Sequence, residues 1–528
     1  TIDGVQWNIR KNETTGKVEL QLSSPLLVEG KEIEVPAVVE GIKIDVLADG
    51  SGFQGKSLTI PNGIEVQKGA LDGCAVDTLY YKGENCSEEC VPENCKNIVF
   101  DGTKNISIGA RGASVESIIC KNTPGVFFGY KAVANAKKLK QLIIEDSINR
   151  ATFEGNAFES CISLEQCEIH SKSAVLYQAS FANCGKLQDV TFDGYAIFHA
   201  SQYYCDDAGN TAVNQGGAFY NCFQKEYDAN GKLIKKVLTF KDGMCSIVDN
   251  DAPNCKTRVL ENCSGLTDVV FENGAEIDVE GFFYDCENLS HITFDGATVL
   301  SAPLFQKLPA LKKLEFYGEL EGVSDKSSPF EGCTADMLIF YNSVRQICIS
   351  GMKNLTTIYF GGKYVGLSEL NGGKWQRNVT LENCDNVESI IFDLDPAALS
   401  KWEQSGQLDG IINLKDNLTR PHNIYGHNYN KSPQNFVEYW TKNYSKGTFF
   451  NMIDKVETYF DGQVLGENLT AADIDTSKIV VKATFSHQVE QCLKEIGYSR
   501  YEFDPLSGKI TVPTISDGCE NSGYKIEQ

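Results

Sequence analysis

The sequence predicts a repeat solenoid of short parallel β-strands joined by turn or 3₁₀ segments, followed by a small all-β domain. Three observations predict it. A twelve-residue frame, F-x-x-C-x-x-L-x-x-I-x-F, recurs at intervals of 19–25 residues. Many of the 19 cysteines occupy one position of that frame. The frame stops near residue 395, and beyond residue 452 strand-like runs separated by turn residues take over. A unit of that period cannot bury its own apolar face, so neighbours must stack and share a core.

The frame is clear in Phe158-x-x-Cys161-x-x-Leu164-x-x-Cys167-x-Ile169 and in Phe181, Cys184, Leu187, Val190, Phe192. It returns as Leu260, Cys263, Leu266, Val269, Phe271 and as Phe283, Cys286, Leu289, Ile292, Phe294. Phe305 to Phe316 carries Leu308 in place of Cys, and further copies run through Ile349–Phe360 and Leu381–Phe392. The closing I-x-F alternates with period two, the pattern of a short strand with two residues inward and one outward. The F-x-x-C-x-x-L part has a spacing of three, which suits a tight or 3₁₀-like turn. A small apolar side chain at a fixed inward position explains Cys161, Cys184, Cys222, Cys263, Cys286, Cys333 and Cys384 as stacked thiols, not disulfides. Cys86, Cys90 and Cys95 lie outside the frame or at its edge. Their spacing fits a local disulfide better than zinc.

These residues resemble the BspA-like leucine-rich repeats of bacterial surface proteins. Leu58-Thr-Ile60-Pro61, Ile64-x-Val66 and Gly69-Ala70-Leu71-x-x-Cys74 follow that family's consensus closely. The resemblance covers residues 35–395, with loop insertions or degenerate units near 193–215 and 223–258. It implies a secreted or surface-displayed protein that adheres to host or neighbouring-cell components. Residues 1–34 read as a capping hairpin. Residues 396–452 read as a C-terminal cap and linker, with short helical pieces at Pro396–Trp402 and Asn435–Trp440. Residues 453–528 are similar to a bacterial immunoglobulin-like domain, which implies a β-sandwich with strands at Val456–Phe460, Ile479–Phe485, Tyr501–Phe503 and Lys509–Val512.

A net charge of −23 repels phosphate backbones and anionic lipid, so nucleic acid and membrane docking are not expected. No apolar run is long enough to span a bilayer. The chain opens on Thr1 without an apolar leader, the expectation for a segment whose targeting sequence has been removed. Gly50-x4-Gly55-Lys56-Ser57 matches the phosphate-loop pattern letter by letter. That chemistry needs a following helix, which Pro61 and Gly63 forbid, so the stretch reads as repeat and strand. His422 and His427 lie five apart in an Asn-rich stretch that reads as a solvated loop. The Phe-Asp-Gly triplets at 100–102, 192–194 and 294–296 read as turns closing strands. No nucleophile elbow or metalloprotease motif is present. No catalytic residue, cofactor or metal is expected.

If I and F of each I-x-F point inward, the residue between them points out. That outward column reads Ile143, Glu168, Thr191, Val270, Thr293, Glu315, Ile339, Tyr359, Ile391. The column just after F reads Glu145, His170, Asp193, Glu272, Asp295, Tyr317, Tyr341, Gly361, Asp393. Tyr317, Ile339, Tyr341 and Tyr359 should therefore form one apolar-aromatic patch. Two readings stand: a capping segment or insertion covers it, or it meets a partner. The function expected is non-catalytic binding of an extracellular protein or glycan by a monomer. The alternative is glycan capture or processing, with Tyr317 beside Asp295 and Glu315 as the sugar site. The eleven N-x-[ST] sequons would matter only in a eukaryotic secretory route.

Overall fold

The computed structural model describes residues 1–23, 30–50, 52–199, 204–205, 211–212, 216–247, 258–278, 280–324, 326, 328–368, 376–394, 412–426, 447–460, 463–464, 479–496, 502–504 and 509–511. The chain divides into two compact units. The first comprises residues 1–296 and 302–310, and the second 297–301 and 311–528.

In the first unit the I-x-F segments form one parallel sheet in sequence order. Its strands are β1 (Glu32–Glu34), β2 (Gln54–Ile60), β3 (Ala75–Tyr81), β4 (Asn94–Asp101), β5 (Ser117–Lys121) and β6 (Gln141–Ile144). They continue as β7 (Gln166–Ile169), β8 (Asp189–Phe192), β9 (Val237–Phe240), β10 (Asp268–Phe271) and β11 (His291–Phe294). Each strand pairs with its predecessor so that like sits beside like, as in Cys167↔Val190↔Leu238↔Val269↔Ile292. The closing phenylalanines stack accordingly: Phe192, Phe240, Phe271 and Phe294 follow at 5.3, 5.1 and 5.0 Å. That is the strand spacing read out in rings. A second parallel ladder runs alongside, from Asn85–Cys86 through Gly125–Phe128, Ser173–Leu176 and Tyr195–His199 to Ala275–Ile277. At the N-terminal end Trp7–Lys11 and Val18–Leu22 make an antiparallel hairpin whose second strand pairs parallel with Val46–Asp49.

The turn between strands explains the cysteine. In the turns at Cys74, Cys161, Cys184, Cys222 and Cys333 the Cys N–H reaches the carbonyl three residues back, as in Cys184 to Phe181 at 3.3 Å. The residue just before the Cys position is left-handed, with φ between 52° and 63° at Ser160, Asn183, Asn221, Asn262, Asp285 and Asn383. Asn, Asp and Gly tolerate that conformation best, and they dominate the position. The thiol then points at the backbone of the preceding coil. Cys184 Sγ donates to Phe158 O at 3.2 Å, Cys222 to Phe181 O at 2.8 Å, Cys263 to Phe219 O at 3.2 Å and Cys286 to Leu260 O at 2.9 Å. A Leu at this place would fill the space, but only Cys also gives a buried carbonyl a donor. No disulfide joins the described cysteines.

Of the two readings of 223–258, loop insertion or degenerate unit, the described residues match the second, and the reading of His422 is corrected. Residues 223–258 hold a working coil: Phe219 and Cys222 make its turn, and β9 seats Leu238 and Phe240 in the core. A small excursion, bridged between Tyr227 and Leu233, separates the two halves and hid the frame. His422 is not in a solvated loop. It is 3% exposed and lies on a strand of the second unit. The second half of the phosphate-loop match, residues 54–57, lies in β2, where Lys56 Nζ pairs with Glu32 Oε1 at 3.0 Å.

In the second unit the main parallel sheet consists of β12 (Lys313–Phe316), β13 (Met337–Phe340), β14 (Thr357–Phe360), β15 (Ser389–Phe392), β16 (His422–Gly426) and β17 (Gly447–Asn451). Phe316, Phe340, Phe360 and Phe392 stack at 5.5, 5.4 and 5.2 Å. The chain then forms an antiparallel sheet of β18 (Ile453–Phe460), β19 (Gln463–Val464), β20 (Ile479–Phe485), β21 (Glu502–Asp504) and β22 (Lys509–Thr511), in the order β19-β18-β20-β22-β21. The four strands expected in this region are therefore present. Between β20 and β21 lies a helix that was not expected, α1 (His487–Glu495). Among the described residues the region is one sheet with one helix, and a second sheet of a sandwich is not among them. The helical pieces expected at 396–402 and 435–440, and His427, lie outside the described residues.

Candidate binding surface

The outward column has one character in the first unit and another in the second. In the first unit its members, Ile143, Glu168, Thr191, Val270 and Thr293, are half-exposed, and polar side chains beside them on the same face bond to one another across coils. Gln141 Nε2 lies 3.5 Å from Gln166 Oε1, and Gln166 Nε2 donates to Glu168 Oε1 at 2.6 Å. Glu168 Oε2 is 3.3 Å from His170 Nε2, His170 Nδ1 is 2.6 Å from Asp193 Oδ2, and Lys241 Nζ is 3.4 Å from Asp193 Oδ1. This network crosses β6 to β9, and its last member sits after the strand that the sequence frame missed. Burial alone would lower the His170 pKa, but the bonds to Asp193 and then Glu168 prevail and raise it. For Asp193 burial acts upward, and the His170 bond and charge outweigh it, so its pKa falls.

The sign of the pH effect follows. A raised histidine contributes fully below its unfolded value near 6.5 and loses its contribution as pH rises through the folded value. His170→Asn should therefore lower the melting temperature more at pH 5.5 than at pH 8.5. At this exposure the effect should stay within about 1 kcal/mol. Equal losses at both pH values would show that the imidazolium does not hold the network.

In the second unit the same column is Ile339, Tyr359, Ile391 and Tyr425, and it is covered. Ile339 and Tyr359 are 0% and 1% exposed. They pack with Val489, Cys492, Leu493 and Ile496 of α1 and its C-terminal end. Lys313 Nζ donates to Glu495 O at 2.9 Å. The Tyr341 hydroxyl donates to Glu315 Oε1 at 3.0 Å, and Ile496 O lies 3.4 Å away. Burial, with Glu315 and Tyr317 beside it, pushes the Tyr341 phenol up. Tyr341 stacks on Tyr317 at 4.6 Å and lies 6.3 Å from Tyr359. Tyr359 donates to Asp393 Oδ2 at 2.6 Å.

Tyr317, Ile339, Tyr341, Tyr359 and Glu315 thus come together, but not as an open patch. A helix lies on it, and of the four apolar-aromatic residues only Tyr317 is exposed, at 42%. The helix was legible in retrospect: Val489, Cys492, Leu493 and Ile496 follow the i, i+3, i+4, i+7 pattern of one apolar face. Asp295 belongs to the first unit, at the end of β11, half-buried and with its pKa raised by burial. No cluster of three or more His, Cys, Asp or Glu suited to a metal occurs among the described residues.

The repeat now has a counterpart among known families. Residues 111–207 and 246–362 match the BspA type leucine-rich repeat region, in six copies. The gap between the two matched segments contains β9, so the fold supplies a coil where the sequence match lapses. Among solved structures, a leucine-rich repeat protein of Bacteroides ovatus ATCC 8483 is 14% identical, with a TM-score of 0.31, covering 85% of this chain and 99% of that one. A leucine-rich cell-surface protein of Faecalibacterium prausnitzii A2-165 is 15% identical, with a TM-score of 0.21, covering 76% and 96%. The pneumococcal vaccine antigen PcpA is 13% identical, with a TM-score of 0.22, covering 85% and 97%. At these scores the likenesses add nothing to the family match. No curated protein matches the chain.

Proposed function

We propose that this chain is a non-catalytic binding protein displayed outside the cell, and that its first unit meets a protein partner through the polar column. The observation that supports this is the Glu168–His170–Asp193–Lys241 network. Side chains already held by their neighbours lose little freedom on binding, which is the condition for a polar surface to hold a partner tightly. The column has Glu145 before it and Glu272 after it, and the chain is acidic throughout. The partner it suits presents lysine and arginine side chains. A surface location agrees with the BspA-type repeat, and no helix among the described residues is long and apolar enough to cross a membrane. An immunoglobulin-like spacer remains our reading of the antiparallel region after residue 453. Tyr317 and Glu315 offer a smaller contact area in the second unit.

The test is to immobilise the chain and present it with a panel of extracellular proteins and a glycan array, each at low and high salt. Capture of a basic protein is expected, weakened by salt and about tenfold by Glu168→Gln with Asp193→Asn, roughly 1.4 kcal/mol. Turnover of a polysaccharide, or protein capture indifferent to that double variant, would overturn the proposal.

A further inference from the structure

Cys86, Cys90, Tyr81 and Ser87 form a constellation that the repeat does not require. Cys86 ends the short strand Asn85–Cys86 of the second ladder and pairs with Ile106, its side chain buried. Four residues on, Cys90 ends a 3₁₀ turn, Glu88–Cys90, whose N–H reaches Ser87 O at 3.0 Å. That turn places both sulfurs beside Ser87. The Tyr81 hydroxyl, which also bonds to Asn85 O, lies 3.4 Å from Cys90 Sγ. Ser87 Oγ lies 3.8 Å from the same sulfur, and Cys86 Sγ lies 3.6 Å from Ser87 O. The Tyr81 proton goes to Asn85 O, so the phenol oxygen faces Cys90 Sγ as an acceptor, and Cys90 lies among side-chain oxygens where the frame cysteines donate to a carbonyl of the preceding coil.

The electrostatics diverge in the same way. Burial pushes the thiols of Cys74, Cys333 and Cys384 up to about 11, and Cys95 up to about 12. Cys90 goes the other way, to about 6: the neighbouring Cys86 thiol is the largest cause, and Ser87 adds to it against the cost of burial. Cys86 is correspondingly pushed well up, by burial and by its bond to Cys90. The two shifts run in opposite directions, Cys90 down and Cys86 up. That is the division of labour between an attacking and a resolving cysteine. Cys90 is 7% exposed, against 0% for Cys161, Cys184 and Cys263, so it is also the more accessible sulfur.

We propose that Cys86 and Cys90 are a reversible dithiol–disulfide couple that exchanges with low-molecular-weight disulfides. The Cys90 thiolate attacks one sulfur of the small disulfide, forming a mixed disulfide and releasing one thiolate. Cys86 then attacks the Cys90 sulfur and expels the second thiolate. The proton of Cys86 ends on a released thiol. Two protein thiols are oxidised and one small disulfide is reduced to two thiols. The closed ring would tie the 3₁₀ turn to the end of its strand.

The test uses the full chain equilibrated in mixtures of reduced and oxidised glutathione, quenched in acid, labelled with N-ethylmaleimide and cleaved with trypsin. Residues 83–96 then carry Cys86, Cys90 and Cys95 on one peptide. Cys86 and Cys90 should lose their labels together while Cys95 keeps its own. In Cys86→Ser, Cys90 should instead accumulate one glutathione, and native-state alkylation at pH 7 should reach Cys90 before Cys161 or Cys184. A bridge that includes Cys95, three labels retained in oxidised glutathione alone, or no adduct on Cys90 in the variant would overturn the proposal. None of these readings depends on a binding partner, so failure here leaves the proposed function intact, and the reverse.

Discussion

Tyr359→Ala should destabilise the second unit by about 3–5 kcal/mol, the range for deleting a buried aromatic ring. From the outward column alone the same change would cost no more than about 1 kcal/mol, as at an exposed site. The difference comes from α1. Tyr359 is 1% exposed in a cluster with Ile339, Ile391, Tyr425 and the apolar face of the helix. Its hydroxyl also donates to Asp393, which is itself 0% exposed. Removing the ring opens a cavity under the helix and takes a donor from a buried carboxylate. Tyr359→Phe separates the two effects: it keeps the volume and should cost about 1.5–3 kcal/mol, the range for a hydrogen bond to a charged group. Urea unfolding followed by near-ultraviolet dichroism reads both variants. A loss below about 1 kcal/mol for the alanine variant would mean that the helix does not rest on this face in solution.

Breaking the His422–Asp416 pair should have an effect of similar size. The two side chains are 0% and 2% exposed, and His422 Nε2 lies 2.5 Å from Asp416 Oδ2. His422 Nδ1 faces Arg420 O at 2.9 Å. Both ring nitrogens therefore meet oxygens, so one carries a proton to the carbonyl and another proton is held between ring and carboxylate. Asp416 Oδ1 also accepts the Leu418 N–H at 3.1 Å. His422→Leu keeps apolar volume but leaves the carboxylate without its partner, and that should cost about 3–5 kcal/mol. Replacing both, His422→Leu with Asp416→Leu, should recover much of the loss, because an uncompensated charge is what costs most. The double-mutant cycle in urea decides it. Additive losses from the two single variants would show that the pair is not coupled.

The solenoid was legible because its information is local. A short strand, a turn of spacing three and a small apolar side chain, most often a thiol, at one place recur from coil to coil, and each coil meets only its neighbours. Phe192, Phe240, Phe271 and Phe294 stack because the frame, once repeated, leaves them nowhere else to go. β9 escaped because the excursion around Tyr227–Leu233 separates Cys222 from Leu238, although the coil itself is intact. His422 escaped for a related reason: β16 keeps the alternation but lacks the Cys and Leu positions that mark a frame.

The amino-acid order alone determined the coil, its inward column and the outward direction of Glu168, Glu315, Ile339 and Tyr359. What lies opposite an outward residue was decided only in three dimensions. Ile339 and Tyr359 meet a helix from residues 487–495, while His170 and Asp193 meet each other and water. Spacing along the chain says which way a side chain leaves the backbone. Whether it enters solvent or a second layer depends on a contact some 150 residues away, and no local pattern encodes that distance.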